Sequence, residues 1–182
     1  MVYIVLEGID GVGKSTVCRM LQEYGIDAVF TREPYDQSIK ELKILDQTEL
    51  AYRFAEDRYR HMRDIIIPAI NAGKHVISDR SYISNLAYQM YGGIDEEWLK
   101  RIQPHNLVYP DIIILLTCDD HVACKRSREL YAERLFDIQQ NYRRILEHIG
   151  NCYTIDTTDL PSNKIVYLIN EYIQDYNYVN NV

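Results

Sequence analysis

The chain has 182 residues, 47% hydrophobic and 26% charged, the balance of one globular domain with a sizeable core. Its net charge of −7 argues against a nucleic-acid binder, so an anionic ligand must be held by local cations rather than by the overall field. The apolar runs are too short for a membrane span and no leader pattern precedes the first of them, so a cytoplasmic location is expected. Cys18, Cys118, Cys124 and Cys152 lack C-x-x-C spacing, which argues against a zinc site or a redox pair.

In chain order, Val2-Tyr3-Ile4-Val5-Leu6 is a β-rich apolar run, the pattern of a buried strand. It leads into Gly8-Ile9-Asp10-Gly11-Val12-Gly13-Lys14-Ser15-Thr16, which fits G-x-x-x-x-G-K-[ST], the loop that wraps nucleotide phosphates. The glycines let backbone N–H groups converge on the anion, Lys14 brings charge to the β- and γ-phosphates, and the Ser15 hydroxyl can ligate Mg²⁺. Thr16 to Tyr24 reads as the following helix, with Val17, Met20 and Leu21 on one face and its N-terminus aimed at the loop. Ala28-Val29-Phe30 is a second strand that opens into Thr31-Arg32-Glu33-Pro34. Ligands bind at the carboxyl ends of parallel strands, so Arg32 falls near the phosphate loop, either on a phosphate or paired with Glu33 at the surface.

Gln47 to Asn71 has the period of one long helix, with Pro68 near its end and Gly73 closing it. Arg58 is a charge on that helix's apolar stripe and needs a carboxylate partner or a polar ligand. Phe54, one turn earlier, is either core or a flat surface for a base, while Arg53, Arg60 and Arg63 fall on a solvated face. His75 to Ser78 is a third strand, with Asp79 at its end placed for Mg²⁺ and Arg80 beside it for phosphate. In the helix from Tyr82 to Met90, Asn85 and Gln89 share one face with Ser81, suited to reading a base edge or simply solvated. Asp95 to Gln103 is a helix, and Asp111 to Leu116 is the most apolar strand. Asp120 to Leu130 is a helix carrying Lys125, Arg126 and Arg128; Arg134 then precedes a helix from Leu135 to Ile149 with Arg143 and Arg144. These cations form a mobile clamp opposite the loop or, with Glu129 and Glu133 interleaved, a solvated face. Tyr153-Thr154-Ile155 is the last strand, and a closing helix through Tyr176 ends in a polar tail from Asn177 that is expected to fray. The alternation predicts an α/β, three-layer α/β/α fold of the P-loop NTPase type with a five-stranded parallel sheet, residues 1–182 forming one domain.

Taken together, these stretches resemble the thymidylate kinase family. The similarity runs from Val2 to about Leu146 and rests on Glu7 to Thr16, Thr31-Arg32-Glu33-Pro34, Phe54-Ala55-Glu56-Asp57-Arg58, Ile67-Pro68-Ala69-Ile70 with Gly73-Lys74, Asp79-Arg80 with Ser84, and Ala87-Tyr88-Gln89. The resemblance implies a nucleoside monophosphate kinase that moves the γ-phosphoryl of MgATP onto dTMP. It implies that Asp10 lies near the sugar 3′-hydroxyl and the transferring phosphate, and that Arg32 and Arg80 hold the acceptor phosphate. Phe54 would stack on thymine, Arg58 would bond its edge, and Asn85 and Gln89 would add to base reading. Tyr88 would pack near the sugar and Asp79 would organise Mg²⁺. ATP would lie on Gly8 to Thr16 with Arg126, no nucleic acid or membrane would be a partner, and the enzyme would be a homodimer. The chain departs from the family pattern with Ser81 in place of a tyrosine, Thr117 in place of an aspartate, and a segment from Arg128 to Tyr142 shortened relative to the family's lid, which makes a short mobile lid at about 126–142. Gly11 is not the arginine some members carry there, so clamp charge should come from Arg126, Arg128 and Arg134.

Two other readings differ in chemistry. A deoxynucleoside kinase would phosphorylate a sugar 5′-hydroxyl; Asp79-Arg80-Ser81 resembles its D/E-R-S motif, but it needs a carboxylate base and would leave the phosphate-binding arginines superfluous. A nucleotide-dependent switch would want N-K-x-D, and Asn163-Lys164 is followed by Ile165-Val166.

Overall fold

The structure, a computed structural model, describes residues 1–42, 46–127 and 131–180, with backbone alone for 177–180. Five strands form one parallel sheet: β1 (Tyr3–Glu7), β2 (Ala28–Arg32), β3 (His75–Asp79), β4 (Ile112–Thr117) and β5 (Cys152–Asp156), in the order β2-β3-β1-β4-β5. The helices are α1 (Lys14–Glu23), α2 (Gln47–His61), α3 (Ile67–Asn71), α4 (Tyr82–Tyr91), α5 (Glu96–Arg101), α6 (Asp120–Ser127), α7 (Ala132–Leu146) and α8 (Ser162–Asn180), and they cover both faces of the sheet. Buried on both faces, β1 and β4 read as continuous apolar runs rather than alternations, whereas the edge strands β2 and β5 are only partly covered. The main core lies between the strands and α1, α7 and α8; a smaller cluster of Ala51, Leu86 and Leu99 joins α2, α4 and α5.

Short polar residues fix where helices begin. Asp46 accepts from the backbone N–H groups of Thr48 and Glu49, Ser81 from Ile83, and Asp95 from Trp98, each satisfying a donor that the first turn leaves unpaired. The expected long helix over 47–71 is interrupted by one π-helical turn, Met62–Ile66, before α3. Pro68 is the cause: its ring would collide with the carbonyl four residues back, and the wider turn, in which Ile67 N–H bonds to Met62 O, relieves that collision. At the other end of the chain α8 runs through Asn180, past the point where fraying was expected.

Register decides where the site forms. Leu6 pairs with Asp79, Asp79 with Arg32, and Glu7 with Leu115, so the carboxyl ends of β1, β2 and β3 finish within one residue of one another and β4 runs two residues further. The loops leaving those ends converge above the sheet, the position at which doubly wound sheets bind ligands.

Candidate active site

The phosphate loop leaves β1 in an open curve that only glycine tolerates at two positions. A β-carbon on Gly8 would stand 2.2 Å from the carbonyl oxygen of Leu116, and one on Gly11 would stand 2.2 Å from that of Ala123 on α6. The second contact gives a structural reason for the missing loop arginine: α6 occupies the space that a side chain at position 11 would need. Lys14 is buried and donates to the carbonyl oxygens of Gly8 (2.9 Å) and Ile9 (2.7 Å), which curls the loop around it. Burial, aided by the nearby Arg80 charge, pushes its ammonium pKa down to about 7.

Ser15 lies in the first turn of α1 and its hydroxyl donates to Asp79 Oδ2 at 2.6 Å, while Asp79 Oδ1 is buried with no protein partner. Among the described residues no group of three or more His, Cys, Asp or Glu could hold a metal. A hydroxyl and a carboxylate with one free oxygen fit Mg²⁺, which takes one or two protein ligands and fills its other positions with phosphate oxygens and water.

Arg80 carries the one positive φ among the described non-glycine residues, 78°, a left-handed backbone held by Ser78 Oγ on its carbonyl (2.7 Å) and by its own N–H on Leu6 O (2.9 Å). From there its guanidinium reaches Asp10 Oδ1 at 2.6 Å and lies 5.1 Å from the ring centre of Tyr88, whose hydroxyl donates to Asp10 Oδ2 at 3.0 Å. Burial alone would raise the Asp10 pKa, but the charges of Arg80 and Lys14 outweigh it and hold the carboxyl below its usual range.

Two clefts meet here. One, of about 420 Å³, is lined by the phosphate loop, Arg32, Asp79 and Arg126. The other, of about 700 Å³, is lined by Phe54, Arg58, Asn85, Tyr88, Gln89 and Arg134 among others. They share Asp10, Glu33, Lys40 and Arg80 as common wall. The larger cleft is unfinished chemically, since both amide atoms of Asn85 and the Oε1 of Gln89 are buried without a hydrogen-bond partner.

Arg58 meets the first of its two expected fates. It is buried, grips Glu33 through Nε (2.9 Å) and Nη2 (2.7 Å), and gives Nη1 to Gln103 (2.7 Å), while still facing the larger cleft. Burial pushes the Glu33 pKa up, but Arg58 and His61 more than offset it and keep the carboxyl low. Arg32 is therefore not paired with Glu33 and stands exposed on the smaller cleft. The loop carrying it is tied to α2 by Asp57, which accepts from the N–H groups of Tyr35 (2.6 Å) and Asp36 (2.9 Å), and by His61, bonded to Thr31 Oγ1 at 2.7 Å.

Of the clamp candidates, Arg126 ends α6 and donates to the carbonyl oxygens of Thr157 (3.1 Å) and Thr158 (2.8 Å), and Arg134 on α7 lies 5.9 Å from the ring centre of Tyr91. Arg128 lies outside the described residues. Arg144 pairs with Glu96 at 2.7 Å on the exposed surface, the solvated fate. Ser81, the departure from tyrosine, is buried and donates to Glu7 at 2.6 Å while capping α4. Sequence reasoning missed Lys40, Glu7, His61 and Gln139. Lys40 sits on a short 3₁₀ turn, Gln37–Glu41, where no motif signals a function, and only the return of that turn to the strand ends brings it between the clefts.

A phosphate loop on one side, an amide-rich cleft on the other and a shared wall with two cations define a P-loop phosphotransferase acting between two anionic ligands. Comparison with known proteins narrows the class. The family model for thymidylate kinase matches residues 6–166. The chain is 35% identical over 173 residues to a "probable thymidylate kinase" of Thermococcus onnurineus, covering 80% of this chain and 84% of that one. It is 34% identical over 198 residues to the counterpart described in the same words from Thermococcus kodakarensis, covering 92% and 96%. The crystal structure of thymidylate kinase from Ehrlichia chaffeensis superposes with a TM-score of 0.78 at 28% identity, covering 95% of this chain and 98% of that one. The chain belongs to the thymidylate kinase family, and its reaction is phosphorylation of dTMP by ATP. The deoxynucleoside kinase and switch readings are set aside by that match.

Proposed function

We propose that ATP lies on the loop Gly8 to Thr16 with Arg126 at its outer end, and that dTMP enters the larger cleft, so that the γ-phosphoryl crosses the wall formed by Asp10, Lys40 and Arg80. The observation that carries this reading is the set of unpaired buried amides on Asn85 and Gln89 beside Arg58 and Phe54. A pyrimidine edge offers donors and acceptors to those atoms, and Phe54 offers a flat apolar surface to its ring. Tyr88, beside Asp10, would then lie against the sugar.

Ser15 and Asp79 would hold Mg²⁺, which when bound neutralises and orients the β- and γ-phosphate oxygens. The rest is the work of this chain's cations. A phosphate monoester has its second pKa near ~6, so the acceptor is already largely dianionic at neutral pH and no side chain has to remove a proton. The barrier lies in holding two polyanions in line. Arg32 and Arg80 grip the acceptor phosphate, Lys14 the donor, and Lys40 adds a point charge between them. Residues about 126–142 act as a lid whose described cations, Arg126 and Arg134, serve the transferring group, and which keeps water from accepting it. The family resemblance also supports a homodimer in the cytoplasm; light scattering at about twice the 21.5 kDa chain mass would bear out the former. None of the helices among the described residues is long and apolar enough to cross a membrane.

Arg32→Ala and Arg80→Ala are each expected to lower turnover of dTMP by two or more orders of magnitude, on the scale of losing a positioned cation, with circular dichroism unchanged. Near-normal turnover in either variant would refute its assignment.

A further inference from the structure

Glu7 is a buried carboxylate at the end of β1 that the phosphoryl-transfer scheme above does not use. Its Oε1 accepts from Ser81 Oγ at 2.6 Å, and its Oε2 from Ser84 Oγ at 2.6 Å and from the Tyr142 hydroxyl at 3.1 Å. Ser84 Oγ and the Tyr142 oxygen are 2.7 Å apart and stand 3.1 and 3.4 Å from Arg80 Nη1. A hydroxyl has one proton and two lone pairs. With an anion beneath them, Ser84 turns its proton down to Glu7, Tyr142 gives its own to Ser84 Oγ or to Glu7, and each oxygen keeps a lone pair for the guanidinium. The negative charge is thereby passed to Arg80 without a direct ion pair, and the Nη1 edge is held while Nη2 faces the shared wall.

Tyr142 is not free to drift. One turn earlier on α7, Gln139 closes a two-way bond with the backbone of Cys118, accepting from its N–H (3.2 Å) and donating to its carbonyl (3.1 Å). Asn141 Nδ2 donates to Ala87 O on α4 at 3.0 Å. The helix is thus fastened to the end of β4 on the donor side and to α4 on the acceptor side.

We infer that Tyr142, with Glu7 and Ser84, is a positioning residue that sets the Arg80 guanidinium for the acceptor phosphate, so that α7, whose first part belongs to the lid segment, also tunes the acceptor grip. This rests on the reading that Arg80 holds that phosphate, and the test separates the two. Tyr142→Phe, Arg80→Lys and the double variant are compared in steady-state assays with dTMP and MgATP. The expected result for Tyr142→Phe is a KM for dTMP raised at least tenfold, with the KM for ATP within twofold of the parent; a loss of structure would move both. In the Arg80→Lys background, which lacks the guanidinium fork, the same change is expected to add less than twofold. A normal Tyr142→Phe beside an impaired Arg80→Lys, or an equal penalty in both backgrounds, would overturn the inference alone. A normal KM for dTMP in Arg80→Lys would overturn the Arg80 reading and the inference with it. Should Tyr142→Phe fail to fold, Ser84→Ala takes its place in the same cycle with the same expectations.

Discussion

The side chains that matter most are those whose charge is out of place for their burial. Arg58 was legible as such from sequence, a cation on an apolar stripe, but its partner was not, because Glu33 lies on another element and nothing local links the two. The pair has a measurable consequence. Glu33→Ala leaves a buried guanidinium without its carboxylate, and an unfolding free energy lower by about 3–5 kcal/mol is expected in urea titrations; a change below about 1 kcal/mol would mean that Arg58 finds an equivalent partner. Lys14 yields a second test. Its pKa in the free enzyme is about 7, well below the ~10.4 of an unfolded lysine. Below that lower value both states carry the proton and the group adds no pH dependence. Between the two values the unfolded chain binds more protons, so this residue's contribution makes the free enzyme more stable as pH rises. A nucleotide phosphate favours the charged form, so ATP binding at pH 8 is expected to take up close to one proton. Calorimetry in two buffers of different ionisation enthalpy measures this; no uptake would show that Lys14 is already charged in the free enzyme.

At the scale of elements, the strands and most helices followed from apolar period, while the caps that start α2 and α5, Asp46 and Asp95, came only with the structure. The π turn before Pro68 did not, because a proline near a helix end reads equally well as a simple stop. Nor did the distance between the phosphate loop and α6, which is a tertiary fact. The carbonyl of Ala123 meets any β-carbon at Gly11, where φ is +87°, so the loop and α6 are packed backbone against backbone. Gly11→Ala must both strain the backbone and push α6 away. A KM for ATP raised tenfold or more is expected, with dTMP binding, measured calorimetrically in the absence of ATP, little changed. Normal ATP kinetics would show that α6 yields without consequence for the donor site.

For the molecule as a whole, the alternation of strands and helices announced the sheet, and the loop motif announced the donor. The strand order, with β3 inserted between β1 and β2, was not legible, since it depends on which strands meet across long stretches of chain. The two clefts and their common wall follow from that order, because it sets Arg32, Asp79 and Arg80 side by side at neighbouring strand ends. Lys40, Glu7 and Tyr142 become meaningful only inside that assembly, which explains why no local pattern singled them out. The central claim is that a phosphate already present on the acceptor is what the wall of cations grips. The most direct test offers dTMP and thymidine side by side to the purified protein with MgATP and follows the products by chromatography. The account predicts dTDP from dTMP and no dTMP from thymidine; phosphorylation of thymidine, or an absence of dTDP, would contradict it.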